Sequence, residues 1–288
     1  MSDRPLFDGL FLGVGAMKAG TTWLYAVLDR HPELFFTFEK EIHYFHHAYL
    51  GSDVLREQRR LENARNRYTV FNPSVARAAA ARNRLRWTAN YLDSPVDDIW
   101  YRNLFVYRNA EQYCCDFSNL YALLDETAWR RVVGIADRLR VLYTLRDPVK
   151  RLWSHIKFHL QITGELARLD DWKPDEYRRF ARRNFMWENA EYGVALRRMQ
   201  AVLPASSLKV VFFENIHGDP RAFLAGVEDF LGIRHFDYPE QVVKARVNES
   251  VSRAMPDFLP DLFAEDFRRI VAEVRAAGFE PPATWSHY

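Results

Sequence analysis

Residues 10 to 28 read Leu10-Phe-Leu-Gly13-Val-Gly15-Ala-Met-Lys18-Ala19-Gly20-Thr21-Thr22-Trp23-Leu-Tyr-Ala-Val-Leu28. An apolar run, a glycine-bounded loop holding one lysine, and an amphipathic run opened by two threonines predict a strand, a tight loop and a helix. Unpaired backbone N–H groups at a helix N-terminus, with the positive end of the helix dipole, receive an anion without needing a particular side chain. The stretch therefore reads as a phosphate cradle. In the nucleotide triphosphatase form, G-x-x-x-x-G-K-[ST], a lysine follows the second glycine and the next hydroxyl holds Mg²⁺. Here Gly15 and Gly20 keep that separation, but Thr21 takes the lysine position and Lys18 lies inside the loop. A kinase or ATPase loses its central residue, whereas Lys18 is placed to bear on the terminal group of a shorter phosphoanhydride. An ordinary strand-turn-helix with a solvated lysine is the structural alternative.

The arrangement G-x-x-K-x-G-T-T-x-L, from Gly15 to Leu24, resembles the 5′-phosphosulfate loop of sulfotransferases that use 3′-phosphoadenosine 5′-phosphosulfate (PAPS). The resemblance implies that Lys18, Ala19, Gly20, Thr21, Thr22 and Trp23 bind this co-substrate. It also implies a later strand ending in Arg-Asp-Pro, followed eight residues after the arginine by a serine, the two holding the 3′-phosphate. The chain complies at Val141-Leu-Tyr-Thr-Leu-Arg146-Asp147-Pro148, with Ser154 in the helix that follows. Helix capping alone accounts for Asp147 and Pro148. It does not account for Arg146 at a strand's C-terminal end, where an open α/β sheet places its ligands, or for Ser154 two turns further on. A planar, permanently charged guanidinium suits a phosphate monoester, and a serine hydroxyl adds a neutral donor.

Sulfuryl transfer needs charge stabilisation on the leaving phosphate, alignment of donor and acceptor, and a base for the acceptor's proton. Lys18 and the loop amides answer the first need. For the base, Glu39-Lys40-Glu41-Ile42-His43-Tyr44-Phe45 follows the second strand. In the glycan-modifying branch of the family, and in many bacterial relatives, a glutamate in a similar Lys-Glu-x-His-[Phe/Tyr]-Phe setting is the base, and Glu41 matches it. His43 is the second candidate, because imidazole titrates nearer neutral pH and the cytosolic small-molecule branch uses histidine. On spacing alone, Glu41 reads as a solvated loop carboxylate and His43 as a half-buried turn residue. Cys115-Asp116-Phe117-Ser118-Asn119-Leu120-Tyr121 is similar to a family segment often reading Glu-Lys-[Ser/Thr]-Pro-x-Tyr, with Phe117 at the lysine position and Asn119 at the proline position. The second catalytic lysine of some glycan sulfotransferases is thus missing. Lys244, Arg246 and Asn248 fall where relatives close a basic loop on the nucleotide, although a solvated basic turn reads equally well. Glu214 and Asn215 read as a structural turn.

Composition fits such an enzyme without identifying it. The 288 residues are 48% hydrophobic and 27% charged, enough for a well-buried α/β core, and a net charge of +2 is too mild to argue for nucleic acid. No run of eighteen apolar residues is present and the N-terminus leads almost directly into the first strand, which predicts a soluble cytoplasmic protein. The two cysteines, Cys114 and Cys115, are adjacent in a predicted strand, so their side chains point to opposite faces and staple nothing together.

Strand-like runs at Leu10 to Val14, Leu34 to Phe38, Tyr113 to Phe117, Arg140 to Leu145 and Leu208 to Phe213 alternate with helical patterns, predicting parallel strands with crossover helices. The first helix is expected over Thr21 to Arg30, and another from Pro220 to a stop at Gly232. The resemblance implies the three-layer, P-loop-like α/β fold, with a central parallel sheet flanked by helices. One domain is expected over residues 1–288, with an acceptor-side insert at about 51–110 over the sheet edge. In that insert Tyr91, Trp100, Tyr101, Phe105 and Tyr107 read as core packing before pocket lining. The arginine-rich run 56–67 reads as a solvated helical face before an anion contact. His43, His46 and His47 cluster, and His155 and His159 are one helical turn apart, but sequence does not bring the groups together and no metal site is expected.

The expected activity is transfer of a sulfuryl group from PAPS to a hydroxyl or amine of a small-molecule, lipid or carbohydrate acceptor, releasing adenosine 3′,5′-bisphosphate without a metal. Two rivals remain open: a small-molecule kinase on the same fold using ATP and Mg²⁺, and a non-catalytic nucleotide-binding protein.

Overall fold

The computed structural model describes residues 5–245 and 251–285. Five parallel strands form one sheet: β1 Phe7–Gly13, β2 Leu34–Phe36, β3 Tyr113–Phe117, β4 Ala136–Leu145 and β5 Leu208–Phe212, in the order β2-β3-β1-β4-β5. Between them run α1 Thr21–Leu28, α2 Tyr44–Leu50, α3 Glu57–Asn63, α4 Ala78–Leu92, α5 Asp98–Asn103, α6 Glu126–Val133, α7 Pro148–Ile162, α8 Pro174–Ala181, α9 Asn184–Trp187 and α10 Tyr192–Gln200. After β5 come α11 Phe213–Gly218, α12 Pro220–Leu231, α13 Glu240–Val243, α14 Leu259–Leu262 and α15 Ala264–Ala276.

Helices cover both faces of the sheet, which is why its central strands read as nearly unbroken apolar runs. Along β1 the faces alternate: Leu10 and Leu12 enter one buried cluster with Val141, Tyr143 and Leu145, while Phe11 enters the other with Leu24, Val27 and Leu142. Cys114 and Cys115 divide between the same two clusters and are free thiols, as their adjacency in a strand requires.

The elements differ from expectation chiefly at their ends. β1 starts at Phe7 and β4 at Ala136, because these polar-flanked ends pair with each other, Phe7 opposite Ala136. β2 stops at Phe36, because the Thr37 hydroxyl turns back to donate to the Glu39 carbonyl at 2.9 Å. α1 ends at Leu28 with a tightened turn in which Arg30 N donates to Val27 O. α7 and α12 start where the capping signals put them, Asp147 and Asp219 each accepting an N–H from the first turn, and Gly232 closes α12 with φ +67°.

Residues 51–110 are mostly helical and lie between the edge strand β2 and β3. Tyr91, Trp100, Tyr101 and Phe105 are all buried and share a cluster with the sheet, and Tyr107 packs half-buried against it. The run 56–67 is not wholly a solvated face. Arg60 is buried, donating to the carbonyls of Leu55, Tyr91 and Asp93 and to the Ser94 hydroxyl, so it ties α3 to the end of α4.

Candidate active site

Because every strand runs the same way, all five C-terminal ends gather at one edge of the sheet, the edge where open α/β sheets collect ligands. β1 feeds the loop 14–20 there, β2 the segment 37–43, β3 Ser118 and Asn119, β4 Arg146, and β5 Phe213 and Glu214.

The loop is bolted to β4. Ala16 N donates to Thr144 O, and Thr144 N donates to Gly15 O at 2.9 Å. Gly20 is required twice over: its φ is +82°, and an added Cβ would lie 2.6 Å from the Phe213 ring. Gly20 caps α1 with no side-chain bond, so among the described residues the N–H groups of Thr21 and Thr22 have no protein acceptor. Lys18 itself is held in the left-handed region at φ 69°, a conformation that costs a non-glycine residue roughly 1–2 kcal/mol.

The two distant motifs meet in one bond. Arg146 Nη1 donates to the Lys18 carbonyl at 2.9 Å, and its guanidinium lies 4.5 Å over the Phe213 ring, while its buried Nε–H has no partner among the described residues. The Lys18 ammonium sits 4.0 Å over Phe158 of α7. Burial first, and then the positive charges of Arg146, Lys40 and Lys157, lower the Lys18 pKa to about 8. Lys157, buried on α7, donates to Val251 O at 2.8 Å. Ser154 is buried on the same helix. The segment after β5, read as a turn, is the short helix α11, and its Glu214 Oε1 accepts from Asp147 N at 2.9 Å.

Glu41 lies beside this cationic group. Its Oε2 accepts from Asn119 N at 2.9 Å and its Oε1 from Asn119 Nδ2 at 3.4 Å, and Lys40 Nζ bridges from the same carboxylate to Thr21 Oγ1 at 3.4 Å. Burial alone would raise the Glu41 pKa, but the Lys40 charge, His43 and these hydrogen bonds outweigh it and hold the carboxyl below its ordinary value. The Asn119 clamp follows from a departure noted in the sequence: a proline at that position would have no N–H to give. Phe117, at the missing lysine position, is buried with its ring against Gly13, where an added Cβ would come within 2.6 Å.

His43 takes φ 59° and donates its backbone N–H to Ser118 Oγ at 2.9 Å. Its Nε2 is 3.6 Å from Glu41 Oε2, and its buried Nδ1 has no partner among the described residues. Burial lowers its pKa to about 4, so the ring is neutral at neutral pH and loses the titration advantage expected of imidazole. Beneath both residues Asp116, fully buried, accepts from the hydroxyls of Ser118 (2.6 Å), Tyr121 (2.6 Å) and Tyr101 (2.9 Å). Burial pushes its carboxyl up to about 7. Asp116, Ser118 and the His43 backbone thus form a continuous brace under the Glu41 loop. A second buried carboxylate, Glu39, accepts from Glu41 N, from Tyr68 and from Arg67 (2.9 Å), and so ties that loop to residues 51–110.

The nucleotide-side expectations at the C-terminal end divide. Trp23 Nε1 donates to Val243 O at 3.0 Å, joining the loop helix to α13. Lys244 is exposed and pairs with Glu240 at 2.5 Å rather than with any group of the loop. Arg246 and Asn248 lie outside the described residues. Lys40, Asn119, Lys157 and the Asp116 brace were not singled out as functional from sequence. Lys40 had a signal, its place next to Glu41, and Asn119 had one in its departure from proline, but the fold alone brings Asn119 to a carboxylate 78 positions away.

A parallel α/β sheet that ends in a glycine-bounded loop, four converging cations and a clamped carboxylate is a P-loop-like fold with a candidate anion-binding site. The chain belongs to the Sulfotransferase family, whose model matches residues 11–237. It is 22% identical over 242 residues to the mouse bifunctional heparan sulfate N-deacetylase/N-sulfotransferase 4, a match covering 80% of this chain and 23% of that protein. The chain therefore spans about a quarter of that relative's length. Among solved structures it resembles a sulfotransferase from Alicyclobacillus acidocaldarius, with a TM-score of 0.64 at 21% identity over 99% of this chain and 100% of the other. It also resembles the sulfotransferase domain of the Synechococcus PCC 7002 olefin synthase, with a TM-score of 0.52 at 18% identity over 98% of each. No helix among the described residues is long and apolar enough to cross a membrane.

Proposed function

We propose that the chain transfers a sulfuryl group from PAPS to a hydroxyl or amine acceptor and releases adenosine 3′,5′-bisphosphate. The observation that carries this reading is the Arg146 to Lys18 carbonyl bond, which joins a phosphate cradle to a second, guanidinium-based anion site. The residues present fit a doubly phosphorylated donor: amides at the start of α1 and an Arg146 Nε–H that find no partner among the described residues, and cations whose mutual repulsion an anion would relieve. A triphosphate site on this fold would call for a lysine at Thr21 and gives Arg146 and Ser154 no task.

When bound, PAPS supplies an electrophilic sulfuryl group attached to a phosphate leaving group. Lys18 and the amides of Gly20, Thr21 and Thr22 would hold the 5′-phosphosulfate, with Ala19, whose N–H donates to Ala16 O at 3.1 Å, shaping the loop and Trp23 fixing the helix behind it. Arg146 and Ser154 would hold the 3′-phosphate. Lys18, protonated below pH about 8, neutralises charge on the leaving phosphate. Glu41, kept ionised, takes the acceptor's proton. His43 is as weak a base as a carboxylate here, and its neutral ring buttresses Glu41. Lys244 would have to leave Glu240 to serve, with Arg246, as a basic segment toward the nucleotide.

Bisphosphate release from PAPS, followed with a panel of hydroxyl and amine acceptors, tests the reading. Wild type is expected to turn over with at least one acceptor in the presence of a metal chelator. Turnover of ATP instead, or turnover undiminished in Glu41→Gln, contradicts it.

A further inference from the structure

Between Glu62 and Asp93 the chain has six arginines, at 65, 67, 77, 82, 84 and 86, and no aspartate, glutamate, lysine or histidine. A stretch of charge +6 thus sits in a chain of net charge +2. Arg67 spends its charge on Glu39, but among the described residues Arg65, Arg77, Arg82, Arg84 and Arg86 form no ion pair. The same stretch leaves apolar side chains in water: Val70 is 60% exposed, Phe71 45%, Val75 79% and Leu85 44%. α4 packs inward through Trp87, Thr88 and Tyr91, and its opposite face presents Ala78, Arg82, Leu85, Arg86 and Ala89, all exposed.

Exposed aliphatic and aromatic groups interleaved with unpaired arginines are the chemistry of an interfacial surface, where apolar groups enter the acyl boundary and cations meet anionic headgroups. A soluble polyanion would use the arginines and leave Val70, Phe71 and Val75 without purpose. We infer that residues 65–89 dock the protein on an anionic phospholipid bilayer. The surface borders the candidate site: Phe38, itself 47% exposed, packs edge-on against Trp87 at 5.8 Å, and Arg67 holds Glu39, two residues before Glu41. Docking therefore sets the Glu41 loop at the bilayer edge. Binding to lipid requires no nucleotide, so the inference stands or falls independently of the donor.

The test is co-sedimentation of the full chain with neutral phosphatidylcholine vesicles and with vesicles also containing phosphatidylglycerol. The protein sediments with the anionic vesicles only, and added salt releases it. Arg77→Gln with Arg82→Gln and Arg86→Gln weakens partitioning by at least about tenfold. Phe71→Ser with Val75→Ser also weakens it, with the thermal melt and bisphosphate binding unchanged in both variants. Absence of binding to anionic vesicles overturns the inference. So does binding that survives Phe71→Ser with Val75→Ser and is matched by dextran sulfate, which would make the surface a polyanion site. Self-association in sedimentation velocity that the arginine variant abolishes, without vesicle binding, would assign the face to a second copy instead.

Discussion

Lys18 is where the physical conflict of this molecule concentrates. The half-buried Lys18 ammonium, beside Arg146, Lys40 and Lys157, has its pKa lowered to about 8, first by burial and then by those positive charges. Below that pH the amine carries its proton whether or not a phosphate is present. Above it the free protein loses the proton while a phosphate complex keeps it, so binding takes up a proton and affinity for adenosine 3′,5′-bisphosphate falls as pH rises from about 8. Calorimetry at a series of pH values should show this decline, with Lys18→Arg moving it upward and Lys18→Ala binding weakly at every pH. Glu41 gives a separate residue-scale prediction. Glu41→Gln keeps the Asn119 N–H contact, so bisphosphate binding is retained while turnover drops roughly 10²–10⁴-fold. His43→Asn, which leaves the backbone bond to Ser118 intact, should cost less than Glu41→Gln; a larger loss would make His43 the base.

At the level of elements, the cradle depends on close approach rather than on side chains. Gly20→Ala places a methyl group 2.6 Å from the Phe213 ring at φ +82°. It should lower stability by roughly 2 kcal/mol in chemical denaturation and weaken nucleotide binding, since Phe213 also carries the Arg146 guanidinium. The strand, loop and helix of residues 7–28, the Arg146 strand end and the Asp147 cap were legible because each is a local pattern of apolar period, glycine and capping residue. The Glu41 surroundings were legible only in part. Ser118 and Asn119, just past β3, bond to His43 and Glu41, with Asp116 and Tyr121 behind Ser118, and a contact between residues some 75 positions apart has no local period to announce it. Arg60 was misread for a related reason: its arginine neighbours suggest a solvated face, while its burial depends on carbonyls contributed by the far end of α4.

For the whole molecule, we propose that residues 1–288 act as one domain with 51–110 as an integral insert, because Tyr68, Trp87 and Tyr91 share a buried cluster with Leu10, Leu12 and Val141. Arg60→Ala strips four hydrogen bonds from that insert and should cost roughly 2–4 kcal/mol. If the insert is integral, tryptophan fluorescence and far-UV circular dichroism shift together in one transition; two separate transitions would make it an independent unit. We propose that the glycine-bounded loop and Arg146 together accept one nucleotide bearing phosphates at both the 5′ and 3′ positions. This is tested most directly by calorimetric titration of wild type and Arg146→Ala with adenosine 3′,5′-bisphosphate, ADP, and ATP with Mg²⁺. The bisphosphate should bind selectively and Arg146→Ala should abolish that binding; preference for ATP with Mg²⁺, or bisphosphate binding indifferent to Arg146, would overturn the proposal.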